Sequence, residues 1–365
     1  MQTAMRSTTR TIAALLVAAA MTGCASSGGS DSAGTVTYSD GSTRELTWEE
    51  FLACLSTGFI FCPPMWQSSS SSASALSPSP ESATPVAFNS WREHRAQGLA
   101  ATAIQAAGPQ AAVRLQRGAD GIITSSSMPA FDAGAANAVH FVNDGALVGG
   151  IESGGDRLRA SGYALVNQPA VEVLVAPGSA AQTAFAAGAP VEALGVVANP
   201  YKLGWDYQSF GAWESVSGGG TALRASSFGA ATPAAAVPST GTATFTGKLG
   251  GMYVSPGGQG AIASADLRVV ADFGARSLSL ASSNSTLLRA PAGAYAAPHL
   301  DLGGTLTYAS GSGAFSGTLA SAGGSLSGAS NGSFYGPAAQ ELGGVFALKS
   351  ATTAEAFAGA YGAKR

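Results

Sequence analysis

An alternation of apolar and polar residues marks the second half of the chain. Residues 266–273 place three charged side chains on one face of an extended strand and four apolar side chains on the other. These are Asp266, Arg268 and Asp272 against Leu267, Val269, Ala271 and Phe273. A period of two is typical of a strand with one face in a core. The pair Gly274-Ala275 then predicts a turn, and residues 277–280 continue the alternation as the second strand of a hairpin.

Similar runs predict about eight strands with short turns between them. They lie at 203–214, 241–254, 261–273, 276–281, 303–308, 314–319, 325–335 and 342–348. Closing such a sheet removes its exposed edges, and eight strands enclose an interior that side chains can fill. The sequence therefore predicts an all-β fold with an eight-stranded antiparallel β-barrel over residues 201–350 and a tail over 351–365.

Residues 86–200 contain shorter strand-like runs that are broken by turn signals. The run 138–142 is followed by Asn-Asp-Gly, and the run 170–175 is followed by Pro-Gly. Residues 180–187 favour a short helix. Strands with this spacing predict a smaller β-rich domain ahead of the barrel.

The N-terminus has the pattern of an export signal. Arg6 and Arg10 precede an apolar run over 12–21, which is shorter than the roughly 20 residues of a spanning helix. The run ends in Met-Thr-Gly-Cys24 and a small-residue stretch, as in a bacterial lipobox; an ordinary cleavable signal is the alternative. We expect a signal peptide at 1–23 and a lipid anchor on Cys24. Ala25 after the cysteine favours delivery to the outer membrane, the predicted localisation.

The segments that follow the predicted anchor differ in composition. Residues 24–37 and the Ser/Pro-rich residues 67–85 have little to bury and are expected to be a tether and a linker. Between them, residues 38–66 form a small segment. Its capping box, Thr47 to Glu50, predicts a short amphipathic helix that continues to Leu55.

Cys54 and Cys62 remain once Cys24 is lipidated. An exported chain lies in an oxidising compartment, where two nearby cysteines usually form a disulfide. A metal site is the competing interpretation, but two sulfurs do not fill the four positions of a structural zinc site. The sequence predicts a Cys54–Cys62 disulfide.

Composition narrows the functional classes. The 365 residues include 18 Lys or Arg and 21 Asp or Glu, a formal net charge of −3, and 49 Gly. A nucleic-acid partner would require clustered positive charge, so none is expected. The apolar content of 46% argues against a disordered chain.

Three segments of the chain carry distinctive motifs. Residues 205–213 read W-D-Y-Q-S-F-G-A-W, residues 241–247 read G-T-A-T-F-T-G, and residues 334–346 read F-Y-G-P-A-A-Q-E-L-G-G-V-F. Together these segments resemble the C-terminal β-barrel of the transferrin-binding protein B family of surface lipoproteins. Among members of that family, a G-T-A-T-Y-x-G strand and an F-Y-G-P-x-A-x-E-x-G-G-x-F ending recur. The resemblance covers about 200–350, and it implies that residues 86–200 are the β-rich handle that precedes such a barrel.

The ending of this motif also has a structural interpretation. Gly336-Pro337 predicts a turn, residues 338–341 a short helical turn, and Gly343-Gly344 close packing of the strand that follows. Phe334 and Phe346 are expected to fill the barrel.

The resemblance implies that the protein binds a partner and does not catalyse a reaction. The expected partner is a host protein, such as an iron carrier, or a small solute. Either would then be passed to an outer-membrane receptor. We predict contacts at loop tips over 215–238 and 282–298, since loops on a rigid scaffold concentrate binding residues. The alternative is a structural envelope lipoprotein with no specific ligand.

Catalytic and metal-binding patterns are weak in this sequence. His94, His140 and His299 are isolated from one another and have no carboxylate at ligand spacing. Gly328-Ala-Ser330-Asn-Gly332 matches the G-x-S-x-G nucleophile elbow, but strand-forming residues follow it and no histidine lies downstream. No phosphate loop is present. We predict no enzyme activity, no cofactor and no metal site.

The densest aromatic group allows two interpretations. Tyr201, Trp205, Tyr207, Phe210 and Trp213 could pack inside the barrel or form an exposed patch for a partner. Core packing is the favoured interpretation.

Overall fold

The computed structural model describes eleven ranges of the chain. These are residues 32–37, 43–47, 86–96, 104–119, 121–140, 150–153, 156–165, 168–175, 195–217, 220–289 and 293–365. Cys24, Cys54 and Cys62, the predicted signal and linker, and the predicted helices at 48–55 and 180–187 lie outside the described residues. Thr47, the predicted helix cap, is the last residue of a strand.

The described part is built almost entirely from strands. A hairpin pairs β1 Ser32–Thr37 with β2 Thr43–Thr47. The first large sheet contains β3 Val86–Ala87, β4 Ile104–Arg117, β5 Ile123–Ser126, β6 Ala130–His140, β7 Gly150–Ser153, β8 Asp156–Leu165, β9 Gln168–Val175, β10 Gly195–Ala198, β11 Gln208–Ser217 and β12 Gly220–Gly229. The second contains β13 Thr242–Val254, β14 Gly260–Asp272, β15 Ser277–Arg289, β16 Gly293–Ala296, β17 Leu302–Tyr308, β18 Ala314–Ser321, β19 Ser327–Tyr335, β20 Glu341–Lys349 and β21 Ala356–Lys364. The α-helices are α1 Trp91–Ala96 and α2 Pro200–Leu203, and 3₁₀ turns lie at Ala234–Ala236 and Pro298–Leu300.

The second sheet is a closed antiparallel barrel of eight strands, as predicted. Its hydrogen-bonded order is β14-β13-β21-β20-β19-β18-β17-β15, and pairing of β14 with β15 closes the ring, with β16 attached to β15. Phe334 and Phe346 lie fully buried in its core, which confirms their predicted place. Phe334 contacts four further aromatic rings at centroid distances of 5.3–6.4 Å.

The barrel occupies different residues from those predicted. Strands β11 and β12 belong to the first sheet, so the barrel begins at Thr242 and not at 201. The predicted tail, 351–365, contains β21, which lies between β13 and β20. Eight of the nine β21 residues are buried. Because both faces of this strand are covered, its Ala- and Gly-rich sequence lacks the alternation that identifies a half-buried strand.

The motif at 336–341 is a turn and not the predicted helical turn. Gly336 and Ala339 both adopt left-handed backbone conformations, with φ of 85° and 55°. Glu341 is already the first residue of β20. A left-handed residue at 339 is incompatible with a right-handed helical turn over 338–341.

The first sheet also returns on itself. Its order runs from β12 through β11, β10, β9, β8, β7 and β6 to β4, and β12 pairs with β4. One face surrounds a core that includes Trp91, Trp213 and Phe228. The opposite face packs against the outside of the barrel.

The interface between the two sheets is apolar at its centre. The first sheet contributes Val113, Val173, Val196, Phe210 and Leu223 among others, and the barrel contributes Met252, Val254, Ile262, Val345 and Ala358 among others. All ten of these side chains are buried. One wall of the barrel is therefore covered by the first sheet, which joins the two sheets into one packed unit.

Candidate functional site

The two segments predicted as loop tips are mostly strands. Residues 220–229 of the first segment form β12, which pairs with β11 and β4. Residues 282–289 of the second lie in β15, and β16 occupies Gly293–Ala296. Small polar residues fit the outer face of a strand as well as a loop, so composition misled the prediction of loops. Contact of these segments with a ligand stays a prediction.

The aromatic group of residues 201–213 packs into the protein core. Trp205 and Phe210 lie in the interface between the sheets, with ring centroids 6.0 Å apart. Trp213 lies on the opposite face, in the core of the first sheet. Core packing is confirmed for these three rings, although they do not fill the barrel interior. Tyr201 and Tyr207 are half-buried.

A buried carboxylate joins the two sheets where β20 begins. Glu341 accepts the backbone N–H of Asp206 at 2.6 Å and that of Tyr207 at 3.0 Å. Its side chain is fully buried, and burial raises the pKa of Glu341 to about 7. The two backbone donors and the charge of Lys364 oppose that rise. Glu341 is thus a link between the sheets that titrates near neutral pH.

Asp206, on the loop held by Glu341, binds two cationic side chains. Its Oδ2 lies 3.2 Å from Nη2 of Arg92 and 3.3 Å from Nζ of Lys364. Lys364 Nζ also donates to the carbonyl oxygen of Gly204 at 2.6 Å. The side chain of Arg92 is 81% exposed. Exposed ion pairs contribute little stability, so these contacts chiefly position the three side chains.

A cleft of about 280 Å³ opens between these groups. Its walls come from α1, from α2 and the loop after it, and from the last strand of the barrel. The lining residues are Trp91, Arg92, Tyr201, Gly204, Trp205, Asp206 and Lys364. The cleft therefore combines aromatic walls with two cations and a carboxylate at the junction of the two sheets.

Helix α1 is fixed to the first sheet through Trp91. The indole Nε1 donates to the carbonyl oxygen of Gln208 at 2.7 Å. The backbone N–H of Trp91 donates to the carbonyl oxygen of Asp206, also at 2.7 Å. His94 Nδ1 lies 3.0 Å from the hydroxyl of Tyr201. His94 is thus a buried residue of α1 that contacts α2 through Tyr201.

A second buried carboxylate lies on the first-sheet side of the interface. Arg117 on β4 donates to Glu214 on β11, and it also donates to the carbonyl oxygen of Gly121. Burial raises the pKa of Glu214 to about 8, against the opposing charge and hydrogen bond of Arg117. This carboxylate therefore also titrates near neutral pH.

Ser330 lies in the barrel wall. It is fully buried in β19, donates to the carbonyl oxygen of Val345 at 2.9 Å, and lies 2.9 Å from the hydroxyl of Tyr361. The G-x-S-x-G match therefore falls within a strand and not on a strand-to-helix turn.

Histidines and acids do not converge on a metal site in the part of the chain that the structure describes. His140 ends β6 and His299 lies in the 3₁₀ turn Pro298–Leu300. Among the described residues, no group of three or more His, Cys, Asp or Glu side chains is arranged to hold an ion.

The charged residues of the junction are not among the residues that the sequence pattern predicts as functional. Glu341 stands within the F-Y-G-P ending, in the segment predicted as a short helical turn, and Asp206 stands between the aromatic residues Trp205 and Tyr207. A lone acid inside an aromatic or glycine-rich motif is the signal that could have identified each of them. Arg92 and Lys364 carry no such local signal, because only the fold brings them to Asp206.

Comparison with protein families places the resemblance on the barrel. Residues 237–365 match the family described as the C-lobe and N-lobe beta barrels of Tf-binding protein B. The matched range begins just before β13 and includes β21. The barrel is thus similar to that family, as the motifs at 241–247 and 334–346 indicated, whereas the motif at 205–213 lies outside the matched range and in the first sheet. No curated protein matches the chain.

Solved structures of low sequence identity were also found. A mutant of transferrin binding protein B from Haemophilus parasuis is 19% identical, with a TM-score of 0.34, over 47% of this chain and 34% of that one. Isotype 1 transferrin binding protein B from Neisseria meningitidis is 16% identical, with a TM-score of 0.36, over 70% and 43%. A protein described as a surface lipoprotein is 12% identical, with a TM-score of 0.34, over 70% and 98%. The chain spans less than half the length of the two transferrin binding proteins.

No helix within the described residues has both the length and the apolar character needed to cross a bilayer.

Proposed function

We propose that the protein is a lipid-anchored outer-membrane protein, exposed at the cell surface, that binds a host protein or solute without catalysis. The match of residues 237–365 to barrels of Tf-binding protein B supports this proposal most directly. An iron carrier is the first candidate ligand, and an outer-membrane receptor is the expected acceptor. The lipobox-like sequence before Cys24 supports the anchor.

The packing of the two sheets suits a binding scaffold. Their apolar interface and the Glu341 link hold them in a fixed relation. Rigid elements lower the entropy that is lost when a partner binds. The fold alone does not choose the partner, since one architecture hosts many functions.

Affinity capture tests the ligand. The chain without residues 1–24 is immobilised and exposed to apo-transferrin, iron-loaded transferrin and haem proteins. We expect one of them to bind saturably, with the Ser330→Ala variant binding equally well because Ser330 is buried in the barrel wall. Absence of binding to all three contradicts an iron carrier as the ligand.

Two further measurements test the anchor and the exposure. Radiolabelled palmitate should enter the wild-type chain and not the Cys24→Ser variant. Protease added to intact cells should cleave a surface-exposed chain. A chain that stays intact on whole cells but is cleaved after lysis contradicts surface exposure and favours the structural envelope role.

A further inference from the structure

The cleft beside Asp206 is bounded by groups that belong to different parts of the chain. Trp91 and Arg92 come from α1, Tyr201 from α2, and Lys364 from the last barrel strand. Its volume of about 280 Å³ is near the lower end of ligand pockets, which hold drug-sized molecules from about 300 Å³ upward. A ligand here would therefore be about the size of one or two sugar rings.

The aromatic walls of the cleft are rigid. Trp91 is fixed by the bond from its indole Nε1 to Gln208 and lies edge-on to Tyr201, with ring centroids 6.0 Å apart. The backbone N–H of Trp205 donates to the carbonyl oxygen of Pro200 at 2.9 Å, across the left-handed Gly204 at φ 66°. Walls that are already ordered cost little entropy when a ligand binds.

The charges in the cleft are mixed. Arg92 and Lys364 both point to a single oxygen of Asp206, and the carboxyl of Glu341 lies behind the same loop. An anion would meet the carboxylate of Asp206, and a cation would meet Arg92 and Lys364. Neither kind of ion would therefore meet only groups of opposite charge.

A neutral polyhydroxyl ligand fits both the donors and the acceptor. Each hydroxyl can accept from Arg92 or Lys364 and donate to Asp206, because a hydroxyl carries one donor and two acceptor sites. The carbon face of a sugar ring can pack on the half-buried ring of Tyr201, which presents an apolar body and a polar tip.

We propose that this cleft binds a neutral mono- or disaccharide, with Arg92, Asp206 and Lys364 as its polar contacts. The proposal requires neither the lipid anchor nor capture of an iron carrier. Failure of transferrin capture would therefore leave it standing, and failure of saccharide binding would leave the proposed function standing.

Ligand titration of the purified full chain tests the proposal. The probes are methyl glucoside, methyl galactoside, maltose and lactose, with benzoate and choline as an anionic and a cationic comparison. Binding is followed by tryptophan fluorescence and by saturation-transfer NMR. We expect at least one saccharide to saturate the protein, and neither ion to do so.

Two variants connect binding to the cleft. Arg92→Gln removes a donor from an 81% exposed side chain, so the fold is retained and saccharide affinity falls about five- to tenfold, as for one lost hydrogen bond. Asp206→Asn keeps the backbone donors to Glu341 but removes the carboxylate charge. It should weaken saccharide binding and admit benzoate.

Arg268→Gln is the matched control, because this exposed arginine lies on β14 of the barrel and outside the cleft lining. Its affinity should equal that of the wild type. The proposal is overturned if none of the four saccharides saturates the wild-type chain, if benzoate or choline saturates it, or if Arg92→Gln binds as tightly as wild type.

Discussion

The carboxylate of Glu341, the first residue of barrel strand β20, accepts the backbone N–H of Asp206 in the loop before β11 at 2.6 Å. The same carboxylate accepts the N–H of Tyr207 at 3.0 Å. One side chain of the barrel thus satisfies two consecutive backbone donors of the loop that leads into the first sheet. Buried backbone donors need such partners, because an unsatisfied donor is costly.

Replacement of Glu341 by alanine should therefore destabilise the protein. We expect a loss of about 1–3 kcal/mol in the free energy of unfolding, as for buried donors left without an acceptor. Chemical denaturation followed by tryptophan fluorescence measures it. Asp132→Asn, at an exposed position on β6, is the control and should change stability little. Equal stability of the two variants would contradict the role of Glu341 as a link.

The pH dependence of stability should reflect the two buried carboxylates. Burial raises the pKa of Glu341 to about 7 and that of Glu214 to about 8, from an ordinary value of 4.5. Between pH 4.5 and 8 the folded state therefore binds more protons than the unfolded state, so these two groups make stability fall as pH rises.

The variant Glu214→Gln isolates one of these contributions. It has no carboxyl to titrate at position 214, so its free energy of unfolding should decline less steeply than that of wild type between pH 5 and pH 8. Denaturation curves at several pH values give the two slopes. A variant slope as steep as that of wild type would show that Glu214 titrates at its ordinary pKa.

Strand alternation made most of the barrel predictable from the sequence, and its absence explains the main errors. Residues 266–273 alternate because one face meets solvent. Strand β21 does not alternate, because both of its faces are buried. Its own side chains are small apart from two aromatic rings, Phe357 and Tyr361. The run 203–214 has the composition of a barrel strand, yet β11 pairs with β10 and β12. Local pattern predicts a strand but not which sheet it joins.

The junction site was less predictable than the fold. Asp206 and Glu341 are 135 positions apart, and Arg92 and Lys364 lie 114 and 158 positions from Asp206. Such contacts depend on how the two sheets pack. The sequence motif around Glu341 marks the position, whereas the partner atoms are backbone N–H groups, which every non-proline residue carries.

Gly344 should not tolerate a side chain. A Cβ there would lie 2.5 Å from the hydroxyl of Tyr361 and 2.6 Å from the carbonyl oxygen of Asn331. We expect Gly344→Ala to cost about 1–3 kcal/mol, as for overpacking of a core. Gly303→Ala on β17 is the control, because its Cβ would meet no atom within 4 Å. Thermal denaturation compares them, and equal melting temperatures would refute the predicted close packing.

Ser330 should be inert toward reagents that label serine nucleophiles. Its hydroxyl is buried and hydrogen-bonded to the carbonyl oxygen of Val345. We expect no adduct after treatment of the folded chain with a fluorophosphonate, as read by mass spectrometry of the peptide that contains Ser330. Detection of an adduct on that residue in the native protein would show that Ser330 is a reactive nucleophile and contradict its burial in the barrel wall.

The segment 351–365 should be essential for folding, although its sequence reads as a tail. All nine residues of β21 pair with β20 on one side and with β13 on the other. Removal of β21 therefore leaves two unpaired edges and opens the barrel. It also removes Phe357 and Tyr361 from the barrel core. A chain that ends at Ser350 should therefore lack a cooperative unfolding transition and bind hydrophobic dyes, whereas a chain that lacks only Arg365 should unfold cooperatively. If the chain ending at Ser350 unfolds with the wild-type midpoint, β21 does not close the barrel in solution.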